Sequence, residues 1–263
     1  MNLGGRSVLL TGASGGLGEA IARGLAARGA TVVLSGRRAE ALAALAAELG
    51  GRAVAADLAE PDAPAQLLAD AGDVDVLVAN AALPASGDLT SFSPAEIDRA
   101  LAVNLRAPIQ LARLLAGPLS ARGDGHLVFV GSLSGKSAGP HSSLYSATKF
   151  GLRGFALGLR QDLAPAGVGV SLVSPGFVRG AGMFADAGVT LPPGVGTSTP
   201  ENVAAAVVRA IEQDRGEVDV APLAMRAGAA LSGLAPGFSA GVQGRLGAPK
   251  IAREMADGQR DKR

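Results

Sequence analysis

The chain has 263 residues, 48% hydrophobic and 3% aromatic, with a formal net charge of +1. That balance describes an ordinary soluble globule with room for one well-buried α/β domain, and excludes a nucleic-acid binder or a disordered tail. No cysteine and only two histidines, His126 and His141, exclude a disulfide scaffold and thiol chemistry and leave no metal site expected.

The first apolar run, residues 7–10, predicts a strand that enters the turn Thr11-Gly-Ala-Ser-Gly-Gly-Leu-Gly18 and then a helix near 17–28. A strand that turns through glycines into a helix is a phosphate cradle. Its backbone N–H groups can approach a pyrophosphate at the positive helix end. The spacing, with Gly12, Gly16 and Gly18 as its fixed points, differs from the common G-x-G-x-x-G pattern.

Residues 31–35 predict the second strand, and 38–49 a helix with Leu42, Leu45 and Leu49 on one face. Dinucleotide folds place an acidic side chain at the end of this strand, on the adenosine ribose. Gly36 stands there instead, followed by Arg37 and Arg38. A carboxylate repels a 2′-phosphate, whereas arginine grips one through bidentate, charge-assisted bonds. The Ser14 hydroxyl adds a further contact. NADP(H) is therefore favoured over NAD(H).

A short strand at 52–56 precedes a helix whose first turn takes Pro61 and Pro64. Residues 75–80 predict the fourth strand, 94–115 a long helix, and 126–131 the fifth strand. Pro108 has no N–H for the carbonyl of Asn104, four residues earlier, so a bend is expected that frees that carbonyl for a water. His126 reads as structural, whereas His141 could line a pocket or lie on the surface.

The next predicted helix, 143–163, carries Tyr145-Ser-Ala-Thr-Lys149, with phenol and amine four residues apart on one face. A free tyrosine titrates near ~10, and a neighbouring ammonium is expected to lower that value toward working pH. The pair makes a general acid/base. Tyr145 is the only tyrosine in the chain, and Ser132 ends a strand upstream of it. Residues 168–173 form a sixth strand, and a helix at 201–213 and a strand at 217–220 follow. Continuous apolar strands between helices imply an α/β fold, a parallel sheet covered on both faces.

In these motifs the chain resembles the short-chain dehydrogenase/reductase family, in its roughly 250-residue single-domain form. The resemblance runs from Arg6 to Val220. It rests on Thr11–Gly18, Asp57, Asn80-Ala-Ala82, Asn104, Ser132, Tyr145 with Lys149, and Pro175-Gly176. It implies a Rossmann-like doubly wound parallel sheet of about seven strands with helices on both faces.

It also implies roles. Tyr145 exchanges the proton, Lys149 tunes it and binds the nicotinamide ribose, Ser132 orients the substrate oxygen, and Asn104 holds a relay water. Cofactor contacts are implied for Gly12, Ser14, Gly15, Gly16, Leu17, Gly18, Arg37, Arg38, Asp57, Leu58, Asn80, Ala81, Pro175, Gly176 and Val178, besides Tyr145 and Lys149. Asp57 would meet the adenine. A homodimer or homotetramer through the long helices is implied by the same likeness.

Two departures stand out. Ala82 replaces the usual glycine after the fourth strand, and Gly180 replaces a threonine that bonds the carboxamide, leaving the Val178 backbone to serve.

Residues 1–221 are expected to form the dinucleotide-binding catalytic domain, with a lid at about 177–200, and 222–263 an irregular extension ending in a basic tail. The lid side chains Phe177, Val178, Met183, Phe184, Val189, Leu191 and Val195 suit an apolar ketone or alcohol. With no apolar signal region and no run of membrane-spanning length, a cytoplasmic protein without a membrane span is expected. The alternatives are a catalytically silent NADP-binding regulator and a sugar-nucleotide epimerase or dehydratase. Retention of all four catalytic side chains opposes the first. The glycine spacing and the lack of a C-terminal substrate domain oppose the second.

Overall fold

The computed structural model describes residues 1–189, 191, 195–237, 239, 241 and 248–259. Seven strands alternate with helices: β1 (Ser7–Thr11), α1 (Gly16–Ala26), β2 (Thr31–Gly36), α2 (Ala39–Leu49), β3 (Arg52–Ala55), α3 (Ala63–Ala71) and β4 (Val76–Ala79). Then come α4 (Pro94–Leu101), α5 (Ala107–Arg122), β5 (Gly125–Val130), α6 (Ser143–Leu163) and β6 (Val168–Pro175). The described chain closes with α7 (Gly182–Asp186), α8 (Pro200–Glu212), β7 (Glu217–Val220), α9 (Leu223–Leu234) and α10 (Ala248–Gln259).

The strands lie in the order β3-β2-β1-β4-β5-β6-β7, and every neighbouring pair is parallel. This is the doubly wound sheet that the sequence predicts. The pleat divides each strand between two cores. Val8 and Leu10 join Ile21 and Leu25 of α1 and Val203 and Val207 of α8. Leu9 faces the other way, with Leu111 of α5 and Leu152 of α6. Leu9 and Leu10 are fully buried, and each such side chain contributes on the order of 2 kcal/mol. The winding reverses between β1 and β4, which opens a crevice at their C-terminal ends.

Two expectations need correction. The predicted helix at 94–115 is interrupted by a π-helical turn, Ala102–Arg106, in which Ala107 N–H bonds to Ala102 O. Pro108, without an N–H, follows at once, so the anticipated bend takes the form of a widened turn. Among the described residues after Ala221, two helices, α9 and α10, stand where less regular structure was expected. The exposed leucines of α9, Leu223, Leu231 and Leu234, leave it no buried apolar stripe to betray it in the sequence. Residues 190 and 192–194 of the expected lid, and the basic residues at 245, 260, 262 and 263, lie outside the described residues. Among those described, no helix is long and apolar enough to cross a membrane.

His126 is structural, as its sequence context suggests. It is buried on β5 and its Nε2 lies 2.8 Å from Ser171 Oγ on β6. Burial pulls its pKa down to about 4, against the attraction of Asp214; the N-terminus and Arg160 add to the lowering. The unfolded imidazole titrates near ~6.5, so the native state favours the neutral form. Stability from this group is complete above pH ~6.5 and is lost as pH falls toward 4. We expect urea unfolding to show a loss of roughly 2–3 kcal/mol between pH 6.5 and 4.5, absent in His126→Gln. Equal pH slopes for the two proteins would refute this assignment.

Candidate active site

The glycine turn joins β1 to α1 and lies in the crevice. Gly12 has φ +67°, and a Cβ there would meet the Ala81 backbone at 2.8 Å. A Cβ on Gly18 would come within 2.2 Å of Gly12 O and 2.8 Å of Ala13 Cα. Both glycines are therefore required by close backbone approach. Gly15, the N-cap of α1, offers no side-chain acceptor, so the first N–H groups of the helix remain available to an anion. Leu17 packs on the core beneath. A bound dinucleotide fits this cradle.

Thr11 and Asn80 clamp the turn to β4. Thr11 Oγ1 accepts from Asn80 N and Ala81 N, each at 3.1 Å. Asn80 Nδ2 donates to Thr11 O at 3.1 Å and Gly12 O at 3.2 Å. The Asn80 amide thus holds the protein's own carbonyls.

At the end of β2, Gly36 leaves room for Ser14: a Cβ would sit 3.1 Å from Ser14 Oγ. Ser14 thereby stands where the usual carboxylate would project. Arg38 donates to Ser14 O, while Arg37 is exposed and forms no ion pair among the described residues. Asp57, just past β3, pairs with Arg99 of α4 at 2.7 Å and accepts from Ala59 N at 3.1 Å. Burial would raise its carboxyl pKa. The Arg99 and Ala59 hydrogen bonds, with the charges of Arg99 and Arg37, outweigh this and lower it. Leu58 is buried beside it.

Ser132, Tyr145 and Lys149 meet at the C-terminal end of β5. Ser132 caps a 3-10 turn, Leu133–Gly135, and its Oγ accepts from Ser134 N at 3.1 Å. Its hydroxyl hydrogen is left to donate to the Tyr145 oxygen. Lys149 is buried, and its Nζ donates to Val130 O at 3.0 Å and lies 5.7 Å from the centre of the Tyr145 ring.

The expected lowering of the phenol by Lys149 is not found here. Burial pushes Tyr145 up to about 12, with only the Ser132 hydrogen bond pulling it down. Burial also brings Lys149 down to about 8. Desolvation acts against both charged forms and sets the direction of both shifts. The outcome is a phenol that is protonated across neutral pH.

Two positioning contacts escape motif reading. A Cβ on Gly135 would strike Lys149 O at 2.6 Å, so this glycine lets the Ser132 turn press directly on α6. Asn104 is buried in the π-helical turn, where its Oδ1 accepts from Leu83 N at 2.7 Å and its Nδ2 donates to Leu83 O at 2.9 Å. The Asn104 side chain thus pins the loop after β4. A glycine three residues past the serine is the signal that could have found the first.

The family model for the short chain dehydrogenases matches residues 6–190. The chain belongs to that family. The ketoacyl reductase HetN of Nostoc sp. (strain PCC 7120) is 41% identical over 225 residues, covering 82% of this chain and 78% of HetN. A short-chain dehydrogenase from Sphingobium yanoikuyae, solved with NADPH, superposes with a TM-score of 0.77 at 30% identity, covering 89% of this chain and 94% of its own. A 3-ketoacyl-(acyl-carrier-protein) reductase from Brucella melitensis, solved with NADH, gives 0.74 at 28% identity, with coverages of 83% and 97%.

In this short-chain dehydrogenase, Pro175 ends β6 and Gly176 N donates to Val220 O at 3.0 Å. A Cβ on Gly176 would meet Ala221, Met225 and Leu133 side-chain atoms at 3.0–3.3 Å. Val178 is buried in a bridge to Ser198. Gly180 has φ +80°, a conformation that disfavours the threonine common at this place.

Helix α7 packs Phe184 on Phe177, with ring centres 4.8 Å apart. α10 lies against it: Gln259 Nε2 donates to Met183 O at 2.9 Å. From the same helix, Arg253 Nε donates to His141 Nε2 at 3.2 Å, while His141 Nδ1 sits 2.7 Å from Asp88 Oδ1. His141 is thus tied on both ring nitrogens rather than free in the pocket.

Proposed function

We propose that this chain is an NADP(H)-dependent oxidoreductase interconverting an apolar ketone or aldehyde and the corresponding alcohol. The reading is carried by the Ser132 turn seated through Gly135 on Lys149, beside the protonated Tyr145 phenol. A nicotinamide cofactor bound along the glycine turn would supply or accept the hydride. Ser132 and Tyr145 hold the substrate oxygen by hydrogen bonds. In reduction the Tyr145 hydroxyl gives its proton to that oxygen, and the nearby Lys149 ammonium stabilises the phenolate left behind. The name of HetN and its 41% identity support carbonyl reduction. The apolar pair Phe177 and Phe184 supports an apolar substrate. Exposed Leu101 and Phe150, on α4 and α6, support a homodimer or homotetramer through the long helices.

NADPH oxidation followed optically against ketones and aldehydes of graded polarity tests the reaction class. No turnover with any of them, despite tight NADPH binding, would favour a silent regulator. For the cofactor, the exposed Arg37 beside Ser14 supports recognition of a 2′-phosphate. Arg37→Asp is expected to weaken NADPH binding relative to NADH by about tenfold or more. Unchanged relative affinities would defeat the NADP(H) reading.

A further inference from the structure

Arg37 and Asp57 leave the C-terminal ends of neighbouring parallel strands. Gly36 pairs with Ala55, and Ala56 N donates to Gly36 O at 2.9 Å, so Arg37 follows that pair by one residue and Asp57 by two. Adjacent strands lie only about 4.8 Å apart. Asp57 is therefore a negative charge next to the guanidinium proposed to hold a phosphate. Left unpaired, it would recruit Arg37 for itself and repel an anion of like charge.

The structure prevents both. Arg99 takes Asp57 Oδ2 at 2.7 Å, and Ala59 N takes Oδ1 at 3.1 Å. Arg106, seven residues beyond Arg99 at the end of the π-helical turn, donates to Ala59 O at 2.7 Å. Two arginines, one on α4 and one at the end of the π-helical turn, thus clasp residues 57–59, and Arg37 is left facing solvent. The Asp57–Arg99 pair is about one-third exposed, which keeps its effect moderate.

The geometry points to Arg99 as a positioning residue for cofactor choice: by saturating Asp57, it keeps Arg37 free for the 2′-phosphate. This rests on the NADP(H) reading above and adds to it a residue far from the glycine turn in sequence. Arg99 reaches the cofactor only through Asp57.

The test measures NADPH and NADH dissociation constants by fluorescence titration for wild type, Arg99→Gln, Arg99→Lys and the double variant Arg99→Gln/Asp57→Asn. In Arg99→Gln the preference for NADPH should fall by about three- to tenfold, mostly through weaker NADPH binding. Arg99→Lys, which keeps the charge, should hold most of the preference. The double variant should regain it, since an amide neither captures Arg37 nor repels phosphate. Equal weakening of both cofactors in Arg99→Gln would mark a merely structural role and overturn the proposal, as would an unchanged ratio. If Arg99→Gln does not fold, a lysine variant with lost preference overturns it as well. A wild type that binds NADH as tightly as NADPH would overturn the underlying NADP(H) reading itself.

Discussion

Replacing Tyr145 with phenylalanine is expected to lower carbonyl reduction by about 10³-fold while leaving NADPH affinity within a few-fold. The substitution removes one oxygen and keeps the ring beneath the Lys149 ammonium, 5.7 Å from its centre. No neighbour can take over the proton. Ser132 is a far weaker acid, and Lys149 is held in place by the bond from its Nζ to Val130 O. The pH profile of the wild type follows from the same surroundings. The phenol, pushed up to about 12, stays protonated through neutral pH, so no acidic limb belongs to it. Lys149 loses its proton around pH 8, so kcat/KM for reduction is expected to decline above that value. Comparing steady-state rates with cofactor affinities separates chemistry from binding. Substantial turnover by Tyr145→Phe would remove the phenol from the mechanism.

Gly18→Ala carries the second large expected effect. Its methyl would enter at 2.2 Å from Gly12 O and 2.8 Å from Ala13 Cα, both backbone atoms that no rotamer change can move. Overpacking typically costs about 1–3 kcal/mol, and a rigid turn lies at the upper end. A fall in Tm of roughly 5–10 °C is expected, together with at least a tenfold loss of dinucleotide affinity. Gly117→Ala is the control. It lies inside α5 with nothing within 4 Å of an added Cβ. There alanine should stabilise by about 0.5–1 kcal/mol through helix propensity. If Gly18→Ala bound dinucleotide like the wild type, the turn would not be the cradle described here.

The parts legible in the sequence are those whose residue type is dictated locally. Val8, Leu9 and Leu10 announce a strand buried on both faces, and the glycine turn announces itself by composition. The tuning of Tyr145 was not legible. Tyr-x-x-x-Lys spacing gives the distance between two charges but not the water excluded from both, and here desolvation decides the direction. Asn104 was chosen for its carbonyl, yet its amide makes the two bonds that pin Leu83, a long-range contact no local pattern encodes. The Asp57–Arg99 pair spans 42 positions and stays hidden for the same reason.

One contact of the glycine turn reaches beyond phosphate binding. A Cβ on Gly16 would come within 2.7 Å of the Ala181 methyl, one residue before α7. The turn proposed to cradle the cofactor is therefore also the seat of the segment that leads into α7, the proposed lid. A methyl wedged there would hold the lid ajar, so a change in the cofactor motif would surface as altered substrate discrimination.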